Sequence, residues 1–210
     1  MAAVSSTGPD TRRVLFPDDV LLRRPTEADV PGLWAVHGDP AVYAFDPVEV
    51  HRDHAHTAGW LTPITEHWQR HGFGYWVVLV PSTWWPDGVA GADPADEGRV
   101  VAGMGGIRWY EKPDGERVLN VYYRLAPAVH GRGLAGMVIR ESVRAAAAVL
   151  PGTDLVVRTR PANAAARRVA QRAGFVDLGP DPADPGMQLL RRQNRPAGPA
   201  GGDGPVASRA

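Results

Sequence analysis

The sequence predicts a mixed α/β domain, and three observations carry that expectation. Tyr75–Val80, Val100–Trp109 and Val118–Leu125 are short apolar or alternating runs rich in β-branched and aromatic residues, as strands are. From Ala135 the period changes. Ala135, Ile139, Val143, Ala146 and Leu150 recur every three or four residues while Arg140 and Arg144 fall on another face, the pattern of an amphipathic helix. Pro151-Gly152 ends that helix and Leu155–Thr159 follows as another strand. Strand, helix and strand make a βαβ unit, so 118–125 and 155–159 are expected to run parallel and adjacent, with a right-handed crossover.

The remaining elements follow in chain order. Residues 1–13 are small and polar and read as a tail. Val20–Arg23 is a short strand, and Thr26-Glu27-Ala28-Asp29 fits the Ser/Thr-x-x-Asp/Glu pattern of a helix start. Val30, Leu33, Trp34 and His37 then share one helical face. His51 to His71 reads as one or two short helices with Trp60, Leu61, Ile64 and Trp68 inward, because Pro63 is expected to break or restart the turn, and Gly72-Phe73-Gly74 stops it. Trp34, Trp60, Trp68 and Trp76 are assigned to the core. Three consecutive strands, the second carrying Gly103, Gly105 and Gly106, suggest an antiparallel meander. The stretch from about 81 to 98 (PSTWWPDGVAGADPADEG) is long for a hairpin loop and reads as an insertion, with Trp84-Trp85 as the part able to pack. Ala164–Ala173 is a helix stopped by Gly174, Phe175-Val176 and Met187–Leu190 are final strands, and 196–210 is a second, Pro/Gly-rich tail. One domain over 14–195 accounts for the pattern.

Composition limits the function classes. The 210 residues are 44% hydrophobic and 22% charged, which suits one folded domain. Lys+Arg 23 balances Asp+Glu 23, so no global field draws the chain to nucleic acid or an anionic membrane, and any bound anion needs a local site. Cysteine is absent, which removes disulfides, thiolate metal sites and cysteine nucleophiles. No apolar run reaches the ~18 residues of a membrane span, and MAAVSSTGPDTRR lacks the apolar stretch of a signal peptide. A cytoplasmic protein, monomeric or homodimeric, is expected.

Chemistry concentrates in Pro127–Ala135, where His130, Gly131, Arg132, Gly133, Leu134 and Ala135 join a strand to the start of a helix. Such a turn presents several backbone N–H groups together with the positive end of the helix dipole, and glycine lets a bulky phosphate approach the main chain. The physical reading is a pyrophosphate cradle. Gly131, Gly133 and Gly136 satisfy G-x-G-x-x-G literally, but they follow an apparent meander rather than opening the first βα turn, and Asp154 precedes its strand, which argues against a dinucleotide site. His51-Arg52-Asp53-His54-Ala55-His56 has no helical i,i+4 pair of metal ligands, so no metal is assigned and capping or solvated histidines are the plain reading.

With these residues in hand the chain resembles the GNAT superfamily of acyl-coenzyme A-dependent N-acetyltransferases, and within it the group similar to ribosomal-protein N-terminal acetyltransferases. The family's phosphate loop, Gln/Arg-x-x-Gly-x-Gly/Ala, is matched at Gly133 and Ala135, with His130 at the departing first position. Leu22-Arg23-Arg24-Pro25 with Asp29, His67–Gly74 with Trp76, Tyr123-Arg124-Leu125, and Asn163 followed by Ala170–Phe175 extend the resemblance over most of 20–192. It implies a mostly antiparallel twisted sheet, flanked by helices and splayed between its fourth and fifth strands, that takes acetyl-CoA. The implied reaction moves an acetyl group from the thioester to an amine of a small molecule or of a peptide or protein N-terminus. Arg124, Leu125, His130, Gly131, Arg132, Gly133, Leu134, Ala135 and Asn163 would bind the coenzyme, a backbone N–H near Arg124-Leu125 polarising the thioester carbonyl. Asn163 has a second reading as an ordinary N-cap.

The resemblance breaks at the usual acid and base. The position of the family's fourth-strand carboxylate is Asn120, and the usual proton donors fall at Ala166 and Ala170. Tyr123, Asn120 and His54 are the candidates left for catalysis, with Tyr122, Glu116, His51 and His56 behind them. The departures also leave open transfer of a longer acyl group, or a non-catalytic acyl-CoA-binding module.

Overall fold

In a computed structural model, which describes residues 13–85, 96 and 98–194, eight strands form one sheet in the order β1-β2-β3-β4-β5-β6-β8-β7. They are β1 (Arg13–Leu15), β2 (Leu21–Arg23), β3 (Tyr75–Pro81), β4 (Arg99–Glu111), β5 (Arg117–Leu125), β6 (Leu155–Thr159), β7 (Val176–Asp181) and β8 (Asp184–Arg192). Neighbours are antiparallel except β5 and β6, the expected βαβ pair. Helices α1 (Val30–His37) and α2 (His54–His71) cover one face; α3 (Leu134–Val149) and α4 (Ala164–Arg172) cover the other. The expected insertion at 81–98 and the expected tails at 1–13 and 196–210 lie largely outside the described residues. Trp84 and Trp85, at the start of that insertion, pack against the core.

Two expectations are corrected. Arg13 opens a strand, because Arg13, Val14 and Leu15 pair with Arg23, Leu22 and Leu21, a run too short to show in the alternation of the sequence. One strand is thereby added at the front, and the gap expected between strands 4 and 5 falls between β5 and β6. Pro63 sits inside a continuous α2 and does not break it. Pro63 and Gly59, four residues earlier, are both on the exposed side, so the carbonyl that loses its N–H partner faces water while Thr57, Leu61, Ile64 and Trp68 remain inward.

The core is built on β3, whose Trp76 to Val80 are all fully buried, each contributing about 1.5–3 kcal/mol by leaving water. Trp34 and Trp60 are only half-buried, whereas Trp68 and Trp76 are core. The Trp68 indole donates to the Tyr75 carbonyl (2.7 Å), which ties α2 to the head of β3. The capping box of the sequence is present, the Thr26 N–H donating to Asp29 (2.7 Å), and Asp29 also pairs with Arg23, which reaches Asp96 on its other side (2.6 Å).

His67 fastens α2 to β4 beyond the end of β3. Its Nδ1–H donates to the Phe73 carbonyl (2.9 Å) and its Nε2 accepts from the Trp109 N–H (3.3 Å), an arrangement open only to the neutral ring. Burial lowers His67 and His51 to about 4 and takes His37 well below its ordinary value. The unfolded chain takes up these protons near 6.5 and the folded chain does not, so stability is full above that pH and is lost as pH falls toward about 4. The melting temperature should therefore begin to fall between pH ~6.5 and ~5, above the carboxylate range. A melting temperature constant over that interval would contradict this account.

Candidate active site

β5 and β6 are paired only at Leu119 with Leu155 and Asn120 with Val156. Beyond these, β4 keeps β5 as far as Leu125 and β8 keeps β6 as far as Thr159, so the facing edges Val121–Leu125 and Val157–Thr159 separate. A bulge in β4 at Ala102, flanked by Gly103, accompanies the divergence. The opening leads into a cavity of about 730 Å³, within the ~300–1,000 Å³ typical of small-molecule sites.

Strand alternation divides its lining. Val121, Tyr123 and Leu125 of β5 point toward α3, where the Tyr123 Cβ and Val138 meet over Gly105. Asn120, Tyr122 and Arg124 point toward α1 and α2: Tyr122 lies near Trp60 and Arg124 over the Tyr43 ring.

The α3 end of the cavity is built by the loop singled out in the sequence. Gly131 (φ +78°) and Gly133 (φ +77°) both occupy the left-handed region, and nothing lies within 4 Å of a Cβ added at either, so both open onto free space. Gly133 is the N-cap of α3 and provides no side-chain acceptor, while Leu134, Ala135 and Gly136 of the first turn line the cavity. Their N–H groups are the uncapped positive end of a sixteen-residue helix. His130 Nε2–H donates to the Leu125 carbonyl (3.2 Å), fastening the loop to the tip of β5.

The other residues singled out are distributed unevenly. Tyr123 lines the cavity, burial pushes its phenol up to about 12, and its hydroxyl has no hydrogen-bond partner among the described residues. Asn120 lines it too and donates to the Tyr75 hydroxyl (2.9 Å), itself pushed up to about 12 by burial. Asn163 is an N-cap, its Oδ1 accepting from the Ala166 N–H (3.0 Å), and also borders the cavity. Arg132 does not line it, because its guanidinium lies over the Trp84 ring (4.8 Å). His54 stands apart, stacked on Trp34 (4.3 Å), and His51 and His56 stack on each other (4.6 Å) outside the lining. Among the described residues no group of three or more His, Asp or Glu converges as metal ligands. None of their helices is long and apolar enough to cross a membrane.

The cavity has a wall that no motif announced, the segment Ala41–Asp46 between α1 and α2. Both arms of the opening hold it. Arg124 of β5 donates to the Val42 carbonyl (3.2 Å), and Arg160, just past β6, forms a two-point pair with Asp46 (2.8 and 3.2 Å). Asp46 and Arg160 are 114 residues apart in the chain, so no local pattern links them.

A mostly antiparallel sheet that opens at its one parallel pair, with a glycine-turned helix N-terminus at the opening, defines a class of group-transfer fold. The sequence matches the acetyltransferase (GNAT) domain over residues 19–176, and the chain belongs to that family. It is an acetyl-CoA-dependent N-acetyltransferase by that membership. Solved structures share the fold. A GNAT-family acetyltransferase from Bordetella pertussis superposes with a TM-score of 0.64 at 16% identity, over 86% of this chain and 98% of that one. The phosphinothricin acetyltransferase of Sinorhizobium meliloti, in complex with acetyl-CoA, gives 0.58 at 15%, over 84% and 89%. RimL, a ribosomal L7/L12 alpha-N-protein acetyltransferase in complex with coenzyme A, gives 0.60 at 15%, over 83% and 93%. No curated protein shows significant sequence similarity to the chain.

Proposed function

We propose that the opening between β5 and β6 is where acetyl-CoA is held and that the amine acceptor enters from the opposite face, beside Ala41–Asp46. The observation that carries this is the coincidence, in one cavity, of two unpaired strand edges with an uncapped helix N-terminus reached through two left-handed glycines. The residues fit the group. N–H groups of Leu134, Ala135 and Gly136 suit a pyrophosphate, and Val121–Leu125 and Val157–Thr159 offer edge amides and carbonyls to an extended pantetheine amide. The apolar side chains of Val129, Leu134, Val157 and Val169 keep water from the arm between them.

When bound, acetyl-CoA supplies the activated acyl group; the chain supplies position, a dry wall and one hydrogen-bond donor. α3 and α4 lie on the Tyr123 side, so a coenzyme seated on α3 leaves its sulfur on that side. The Tyr123 hydroxyl, with a pKa of about 12, stays protonated, but it is a weaker acid than an ordinary thiol at about 8.5. Its role is to donate a hydrogen bond to the departing thiolate rather than to give up the proton. On the acceptor side Asn120 accepts no proton from an ammonium, so the neutral amine comes from solvent equilibrium, and orientation provides most of the acceleration.

Release of free coenzyme A in the presence of an amine panel tests the proposal, with Tyr123→Phe as its probe. A hydrogen bond to a charged group contributes ~1.5–3 kcal/mol, so this variant should lower kcat by about 10- to 100-fold and leave the KM for acetyl-CoA within about twofold. An unchanged kcat would remove Tyr123 from the reaction.

A further inference from the structure

The acceptor side of the cavity carries more positive charge than its own contacts use. Three arginines line it, Arg124, Arg158 and Arg160, against a single lining carboxylate, Asp46. Arg158 is committed to the buried Asp181, and it lies over the Tyr110 ring. Arg160 is held by Asp46. Arg124 differs: among the described residues it has no carboxylate partner. Its Nε–H goes to the Tyr122 hydroxyl (3.1 Å) and an Nη1–H to the Val42 carbonyl (3.2 Å), with the plane over Tyr43 at 3.8 Å, and two of the five N–H donors of a guanidinium are thereby used. The side chain is half-buried and fixed on three sides, so little rotamer freedom is left to lose when the remaining donors find an acceptor. Its charge sits on the face turned away from the α3 N-terminus, and a phosphate held there leaves it unused.

We infer that the acceptor is a small amine carrying an oxyanion, such as the carboxylate of an amino acid, and that Arg124 is the residue that recognises it. The inference rests on the proposed seating of donor and acceptor at this cavity. Arg160 borders the same space from the other arm. The points where Arg124 and Arg160 grip the intervening wall, Val42 and Asp46, are four residues apart and so separated by at most ~14 Å, which keeps both arms on the same stretch of wall. A planar fork suits a carboxylate by two parallel bonds. The acceptor's oxyanion pairs with the guanidinium in binding; the ammonium proton leaves to solvent before the amine attacks, and as the C–N bond forms and the C–S bond breaks the second amine proton leaves to solvent, which reprotonates the departing thiolate.

Calorimetric titration separates this inference from the reading beneath it. The enzyme is first titrated with CoA, then, saturated with CoA, with the N-acetyl derivatives of glycine, glutamate and phenylalanine, each beside its α-carboxamide. At least one acid should bind about tenfold or more tighter than its carboxamide. That preference should fall below about twofold in Arg124→Gln and survive in part in Arg124→Lys, which keeps the charge and loses the fork. Failure of CoA to bind would overturn the proposed function. Binding of CoA with no acid preferred, or a preference undiminished in Arg124→Gln, would overturn the assignment of Arg124 and of the acceptor class while leaving the coenzyme site standing.

Discussion

Gly133→Val should fold and should bind acetyl-CoA about a hundredfold more weakly. Gly133 sits at φ +77°, where an L-residue costs about 1–2 kcal/mol, but a Cβ there meets no atom within 4 Å, so the variant carries strain and no clash with its own chain. The branched side chain instead occupies the space in front of Leu134–Gly136. Hydrogen bonds to a charged group contribute ~1.5–3 kcal/mol each, and displacing a phosphate from two of them costs about 3 kcal/mol, which is the hundredfold loss. Gly152 provides the control: it turns the chain between α3 and β6 at φ +91°, also with nothing within 4 Å, and does not line the cavity. Gly152→Val should lower the melting temperature comparably and leave affinity unchanged. Equal affinities in the two variants, measured by calorimetry, would remove the phosphate-cradle assignment.

Gly103→Val should be the most destabilising single change among the glycines of β4. A Cβ at Gly103 lies 2.1 Å from the Arg124 carbonyl oxygen and 2.9 Å from the Leu125 Cα, both backbone, and φ is +146°. β4 and β5 would have to separate at the tip of β5, beside Arg124 and Leu125 at the mouth of the opening. Overpacking at about 1–3 kcal/mol adds to backbone strain of about 1–2 kcal/mol, roughly 3 kcal/mol together, or a fall in melting temperature of about 6–12 °C for a domain of this size. Gly72, at φ +75° with open space around it, bears the strain alone, so Gly72→Ala should cost far less. A Gly103→Val variant as stable as Gly72→Ala would contradict the close approach of β4 to β5.

The parts of this architecture that were legible in the sequence are those with a period or a turn residue. The helix at 134–149 shows its inward stripe, the parallel pairing of 118–125 with 155–159 follows from the handedness of a βαβ unit, and Gly131 and Gly133 stand where a left-handed backbone is required. Asn163 was legible in both of its readings, and the structure gives the cap while keeping it at the cavity's border. What stayed hidden depends on contacts distant in sequence. The wall at 41–46 is the end of one 3₁₀ helix, Pro40–Tyr43, and the turn after it, without periodicity, and its attachment to Arg124 and Arg160 spans 82 and 114 residues. Pro63 misled for a local reason, since its cost depends on whether the Gly59 carbonyl reaches water, which the sequence alone does not state. His54 is among the catalytic candidates the sequence leaves, but the turn of Asp53 into α2 aims it at Trp34, outside the cavity lining.

Hydrogen exchange with and without acetyl-CoA tests the central claim most directly, because it reads the backbone groups on which the site is built. Saturation with acetyl-CoA should slow exchange in peptides covering Val129–Met137, Val121–Leu125 and Val157–Thr159, and leave His54–His71 of α2 unchanged. Protection confined to the α1 and α2 side, with none at Val129–Met137, would contradict the placement of the coenzyme between β5 and β6.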